Sequence, residues 1–303
     1  MTGMQPHDYD VVIVGGGAAG LSAALVLGRA RRSVGVIDAG APRNAPAAHM
    51  QAFLSRDGMS PADFLAAGRA EIAGYGVEIV HDEAVSIDAG FVVHLAHGGA
   101  VPARRIVVTT GVGDDLPAIP GVRERWGRDL LHCPYCHGWE VRDRPLGVLG
   151  THSGAVMHAQ LVRQWSDDVV FFTHTTEVSA KERAQLEARG IRIVDGTVVR
   201  LVVEGDELTG VALADGRVVA RSAVFIRPRN VPHLDGLLAG LGVDTDADGF
   251  VLVDRDGRTS APGVFAAGNV VDPRASVIAA AGAAATAAMA VNANLVQDDI
   301  QRC

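Results

Sequence analysis

Three cysteines in 303 residues are too few to staple a small secreted scaffold. Lysine and arginine nowhere form a block, and 27 basic against 35 acidic residues leave a net charge of -8. That balance gives neither nucleic acid nor an anionic membrane surface anything to hold. The N-terminus, Met1 to Asp8, lacks the basic-then-apolar order of a signal peptide. The longest apolar stretch, Val277 to Val291, is mostly alanine and short for a bilayer span, so a core helix packed by small side chains is expected there. These absences lead us to expect a cytoplasmic protein with no nucleic-acid or membrane partner.

What is present is ordinary globular composition with much glycine. Apolar residues make up 48% and charged residues 20%, which excludes low-complexity disorder. The length suggests two domains at about 100–200 residues each. The 36 glycines point to tight turns and close backbone approaches.

Val11-Val12-Ile13-Val14 is a short β-branched run ending in glycines, the pattern of a buried parallel strand. Helical composition over Ala18 to Arg29 and a strand over Ser33 to Asp38 complete a βαβ unit. A helix is expected near Pro61–Gly74, with strands at Val77–Val80, Phe91–Ala96 and Val101–Thr109. Pro117, Pro120 and Gly121 mark a break. A second strand–turn–helix starts at Leu146-Gly147-Val148-Leu149-Gly150, followed by a strand at Val169–Thr173 and a charged helix over Ala180–Arg189. Strands are then expected at Val198–Glu204, Leu208–Leu213 and Val218–Ile226. Two similar nucleotide-binding units in one chain suggest duplication.

Gly15, Gly17 and Gly20 form G-x-G-x-x-G between that first strand and helix. The first glycine permits the turn, the second lets a pyrophosphate approach the backbone, and the third allows tight helix–strand packing. Asp38, about 20 residues on, is placed to accept hydrogen bonds from ribose hydroxyls. Dinucleotide binding follows.

Cys133-Pro134-Tyr135-Cys136 is a C-x-x-C pair followed by His137. Two thiols at this spacing can close a local disulfide, and an adjacent imidazole can take or return a proton near neutral pH. The alternatives are half a zinc site, which lacks a second ligand pair, or two inert thiols. Redox chemistry is the preferred reading, with no metal. Cys303 reads as a free terminal thiol without function. Tyr135 and Trp139 either line an apolar entrance or pack a dimer, and nothing in its chemistry singles out Gln51 of the loop ahead.

Gly15-Gly16-Gly17-Ala18-Ala19-Gly20, Thr109-Thr110-Gly111, the cysteine pair and Gly263-Val264-Phe265-Ala266-Ala267-Gly268-Asn269 together resemble the low-molecular-weight thioredoxin reductases over nearly the whole chain. The resemblance implies an α/β fold of two Rossmann-like, three-layer ββα nucleotide-binding domains and a homodimer. It implies a discontinuous FAD domain, 1–115 and 245–303, with an inserted NADPH-domain-like module, 116–244, carrying the cysteines. FAD contacts are implied at Gly15, Gly17, Ala18, Ala19, Gly20, Asp38, Ala39, Arg43, Asn44, Ala84, Thr110, Gly111, Gly268, Asn269, Ser276 and Val277. By the same resemblance Cys136 faces the flavin and Cys133 exchanges with the outside thiol.

Departures from that pattern point one way. In Gly150-Thr151-His152-Ser153-Gly154-Ala155, His152 stands where the reductases' second phosphate-loop glycine belongs. The segment Thr173-His174-Thr175-Thr176-Glu177 has no arginine pair for an NADPH 2′-phosphate. His137 replaces an aspartate proton donor, and Asn269 a late aspartate. Cys-Pro-Tyr-Cys-His-Gly-Trp-Glu, with Ala41-Pro42-Arg43-Asn44 and Phe53-Leu54-Ser55-Arg56-Asp57-Gly58, is similar to a thioredoxin-reductase-like branch containing the dithiol oxidases of natural-product pathways. Those enzymes close disulfides in compounds of the holomycin, gliotoxin and romidepsin kind and pass electrons through FAD to O2. The expected reaction is therefore oxidation of a small-molecule dithiol through Cys133 and Cys136, with His137 as base and H2O2 as by-product. The rivals are an NADPH- or other-donor-dependent disulfide reductase and an FAD-binding redox sensor.

Overall fold

The computed structural model describes Tyr9 to Arg302 except Ser153 and Asp235. Met1 to Asp8 and Cys303 lie outside the described residues. The chain divides into two compact units. The first comprises Met1–Ala45, Pro61–Gly113 and Asn230–Cys303, and the second Pro46–Ser60 and Asp114–Arg229.

In chain order, β1 (Tyr9–Val14), α1 (Ala18–Arg29), β2 (Val34–Ile37), α2 (Pro61–Ala73), β3 (Glu78–Val80), β4 (Ala84–Ile87), β5 (Val92–Leu95) and β6 (Ala100–Val108) begin the first unit. β7 (Val112–Asp115) leads into the second, which holds α3 (Val122–Arg125), β8 (Leu130–Leu131), α4 (Pro134–His137), β9 (Leu146–Leu149), α5 (Ala155–Val162), β10 (Val169–Phe172), α6 (Ala180–Ala188), β11 (Arg192–Val194), β12 (Val198–Glu204), β13 (Glu207–Leu213), β14 (Val218–Ala220) and β15 (Ala223–Ile226). β16 (Arg229–Pro232) returns to the first unit, which ends with β17 (Val264–Ala266), a single 3-10 turn at Gly268–Val270, and α7 (Val277–Gln301).

The sheet of the first unit runs β3-β2-β1-β6-β5-β4, with β17 also pairing β6. β3, β2, β1, β6 and β17 are parallel, whereas β5 and β4 form an antiparallel extension on the start of β6. Side chains alternate between faces along each strand. Val11 and Ile13 of β1 therefore pack with Val34, Phe265 and the alanines of α1 and α7, while Val12 and Val14 pack with Ile106, Val264, Leu237 and Leu238 on the other face.

The second unit repeats this plan. Its parallel sheet runs β11-β10-β9-β15-β8, with a separate antiparallel sheet β12-β13-β14. Val148, Val169, Phe171 and Phe225 face α5 and α6, while Leu149, Val170, Phe172 and Val224 face Val198, Leu201 and Val211 of the antiparallel sheet.

Three expectations are corrected. Val218–Ile226 is not one strand: β14 joins the antiparallel sheet and β15 the parallel one. The break falls at Arg221, a buried residue whose Nη1 reaches Asp168 Oδ1 at 2.7 Å, a polar tie that a continuous strand would not make. The second unit ends at Arg229 and not at 244, because Leu234, Leu237 and Leu238 pack on the first unit's core; it also takes in Pro46–Ser60. Finally, α7 runs ten residues past Val291 to Gln301, long and apolar enough by length and composition to cross a membrane. It lies instead along α1 as a core helix, with Ala280, Ala284, Ala287, Ala288, Val291 and Leu295 buried.

Candidate functional site

The first phosphate loop is held rigidly. Gly15 takes φ +109°, and a Cβ there would collide with the Thr109 carbonyl. Thr109 Oγ1 lies 3.0 Å from Val14 O and 2.9 Å from Gly15 O, donating to this pair of carbonyls. A Cβ on Gly16 would strike the Asp38 carboxylate, and one on Gly20 the Gly15 carbonyl. At Gly17 a Cβ would meet nothing within 4 Å, so the space ahead of α1 is open. No side chain caps α1 and no acid stands in its first turn, which leaves the amides at Ala18 and Ala19 and the positive end of the helix for a diphosphate.

Asp38 follows β2, nearly buried. Its Oδ1 accepts from Gly16 N at 3.3 Å and Gly40 N at 3.2 Å, and its Oδ2 from Arg69 Nη2 at 3.0 Å. A carboxylate has about four lone-pair sites, so one remains for a ribose hydroxyl. Arg69, on α2, is a residue the sequence did not disclose: an arginine on a helix surface carries no signal of which carboxylate it will meet. Ala39 is the next residue along.

The late segment closes onto this loop. Gly268 has φ +82°, and a Cβ on it would lie 2.9 Å from Ala19 Cβ. Asn269 Nδ2 donates to Asp272 O and Ala275 O, each at 2.9 Å, shaping the approach to Ser276 and Val277, which open α7. Ser22 Oγ donates to Ala281 O at 2.8 Å and ties α1 to α7. Arg43 Nη1 reaches Pro273 O at 3.4 Å, and Asn44 follows it half-buried. Gly111 has φ +74° with open space around it. Thr110 Oγ1 is shielded from solvent and completes no hydrogen bond, a donor awaiting a ligand. Ala84 opens the edge strand β4 and packs against the core cluster that includes Val14 and Ile37. An open helix start, a spare carboxylate lone pair and an orphaned hydroxyl fit a bound FAD.

In the second unit Cys133 and Cys136 form a disulfide, with Cα atoms 5.2 Å apart. Cys133 caps the four-residue α4, and Cys136 N–H donates to Cys133 Sγ at 3.2 Å. That bond favours negative charge on Cys133 sulfur. Pro134 at the first helical position fits the turn because no amide is needed there. Gly138 closes it: a Cβ would lie 2.5 Å from Pro134 O and 2.8 Å from the Trp165 ring. Burial holds the His137 imidazole below its usual pKa, against an opposing pull from Glu140. It is therefore neutral at pH 7 and able to accept a proton. His158 on α5, an isolated histidine with no signal in the sequence, is packed edge-on against His132 at 6.4 Å between ring centroids.

The second glycine loop, between β9 and α5, is already occupied. His152 Nδ1 accepts from Gly154 N at 2.9 Å, so Nε2 carries the proton and faces Arg227 O at 3.1 Å. The ring thus takes an amide at the start of α5 that a phosphate oxygen would use. Ser153 lies outside the described residues. At the end of β10 the chain runs from Thr173 to Glu177 without a basic side chain other than His174, whose Nδ1 accepts from Val198 N at 3.1 Å. The side chain at 152 was legible as an obstruction, but not its role as a cap for its own loop.

Residues 9–290 match the pyridine nucleotide-disulphide oxidoreductase family. The solved structure titled "Crystal structure of HlmI" superposes with a TM-score of 0.96 at 56% identity, covering 99% of this chain and 97% of that one. "Thioredoxin reductase sirT" from Leptosphaeria maculans is 31% identical, over 95% of this chain and 94% of its own. "Thioredoxin reductase tcpT" from Claviceps purpurea is 33% identical over 86% of each.

Proposed function

This chain belongs to the pyridine nucleotide-disulphide oxidoreductase family as a thioredoxin-reductase-like, FAD-binding oxidoreductase, and from that premise we propose that it oxidises a small-molecule dithiol to a disulfide with O2 as electron acceptor. The observation that carries the proposal is the contrast between its two glycine loops. One is open beside an orphaned hydroxyl, while the other has its amide capped by His152. The resemblance of the cysteine motif to that of the dithiol oxidases of holomycin-, gliotoxin- and romidepsin-type pathways supports the same direction of chemistry.

A substrate thiol loses its proton to His137, and the thiolate attacks Cys133 Sγ. The Cys133–Cys136 bond breaks, a mixed disulfide forms, and Cys136 leaves as a thiolate. The substrate's second thiolate then attacks the substrate sulfur of the mixed disulfide and expels Cys133. The Cys136 N–H donated to Cys133 Sγ stabilises that leaving thiolate, which fits Cys133 as the exchanging cysteine. Two electrons now rest on the cysteine pair, and two protons have passed through His137 to solvent. A bound FAD would supply the two-electron redox chemistry that restores the disulfide, with O2 as the final acceptor taking two electrons and two protons to give H2O2. Gly15, Gly17, Ala18, Ala19, Gly20, Asp38, Thr110 and Gly268 are the residues that would hold it.

The active species we propose is a homodimer. α7 leaves Ile278, Met289, Val296 and Ile300 exposed along its outer side, an apolar face suited to a second copy.

The test is anaerobic mixing of the yellow protein with dithiothreitol and, separately, with NADPH, while flavin absorbance is followed. Bleaching by the dithiol alone, then peroxide on admitting air, is the expected result. Rapid bleaching by NADPH would overturn it in favour of a reductase, in keeping with the names of the fungal relatives. Bound FAD without turnover on any dithiol would favour a redox sensor.

A further inference from the structure

We propose that Tyr135 and Trp139 select the substrate, so that this enzyme prefers a dithiol carried on a flat apolar ring. The inference rests on the dithiol-oxidase reading and adds to it the class of scaffold that bears the thiols.

Large aromatic side chains are rarely left in water, because each can bury some 150–250 Å² of surface. Among the described residues only three aromatics are strongly exposed: Tyr135 at 67%, Trp139 at 65% and Tyr75 at 44%. Tyr75 is accounted for by Arg29, whose guanidinium lies 5.2 Å from its ring centroid and bonds its hydroxyl. The other two flank Cys136 in the chain. They stand four residues apart across the right-handed turn of α4 and Gly138, a spacing that puts both on one side of the turn.

Both rings are held in place. Tyr135 packs edge-on against Trp165, with centroids 5.5 Å apart and planes at 88°. Gly138 permits that contact, since any side chain there would push Trp165 away. Trp139 carries the Arg142 guanidinium 3.9 Å from its ring centroid, and Arg142 Nη1 donates to Trp139 O at 2.6 Å. One face of the indole is therefore covered by a cation and the other is left for a partner. Two fixed, exposed aromatic surfaces on the turn that carries Cys136 bind a planar ring with little loss of side-chain freedom. The guanidinium also disfavours a cationic scaffold.

The matched probes are ortho-benzenedimethanethiol and dithiothreitol, which close disulfide rings of the same size but differ in the aromatic ring. On the FAD-loaded enzyme, peroxide release should show a higher kcat/KM for the aromatic dithiol. In Trp139→Ala the ratio of the two kcat/KM values should fall about tenfold, mainly through KM for the aromatic dithiol, with Trp139→Phe restoring most of it. A merely structural role would lower both rates and leave the ratio unchanged, and that result would overturn the proposal. Calorimetric binding of the cyclic disulfide of ortho-benzenedimethanethiol to parent and Trp139→Ala proteins separates the two ideas. Binding that weakens about tenfold in the variant, without turnover of either dithiol, would overturn the oxidase reading and keep the aromatic site. Equal or absent binding in both proteins would overturn the aromatic site even where turnover is normal.

Discussion

At His158 the fold encloses an imidazole that cannot easily take a proton. Burial, and then the neighbouring His132, push its pKa down to about 4 from 6.5, against a smaller opposing hydrogen bond with the His132 backbone. In the unfolded chain the same group protonates near 6.5, so between those values the unfolded state binds more protons and stability rises with pH. Below that window roughly 3 kcal/mol of stability has been lost. His158→Leu should flatten the rise of the urea midpoint with pH between acetate and neutral buffers, and an unchanged slope would assign the acid sensitivity elsewhere. Nothing in the sequence flags His158, since an isolated histidine in an apolar helix looks the same whether exposed or enclosed. Arg69 and Trp165 were hidden for the same reason, each gaining its role from a partner distant in the chain. The glycines at 15, 17 and 20 and the pair Cys133 and Cys136 were legible because their chemistry is local, set by spacing and backbone geometry.

Elements with a single strong period could be read directly: β1, α1, β9 and β10 stand within a few residues of the spans expected from their apolar runs. Val218–Ile226 could not, because β propensity is the same on either side of Arg221 and only the sheets recruited differ. β8 escaped notice because two residues are too few to carry a pattern. α7 was read short because its last turns are polar. There Arg105 binds Asn294 Oδ1 at 2.5 Å and pairs with Asp298, while Arg104 bonds Asp299 Oδ1 at 2.6 Å. The outer side of this helix is where the proposed dimer can be tested. Met289→Asp places a charge in the middle of the apolar face and should weaken self-association at least about tenfold while FAD stays bound. Sedimentation of the variant as an unaltered dimer would move the interface elsewhere.

The molecule as a whole has two separately cored units, and duplication of the strand–glycine–helix plan was visible from the sequence. The boundaries were less so, because the leucines at 234, 237 and 238 and the segment Pro46–Ser60 declare their allegiance only through packing. The residues that fit FAD lie in the first unit alone, so ligand linkage acts on that unit. Stripping FAD should lower one calorimetric transition by several degrees and leave the other in place; a single transition shifting as a whole would show that the units unfold together.

The interleaving has a consequence for how the chain is made. The second unit is complete once Arg229 has been synthesised, whereas β17, the neighbour of β6, and α7, the partner of α1, come last. On a ribosome adding about 5–20 residues per second, the part begun first is finished last. Until it is, β1 and α1 have half a core. Gly268, which closes on Ala19, is also made after Arg229, so the flavin cradle can be assembled only once the whole disulfide-bearing unit has been synthesised.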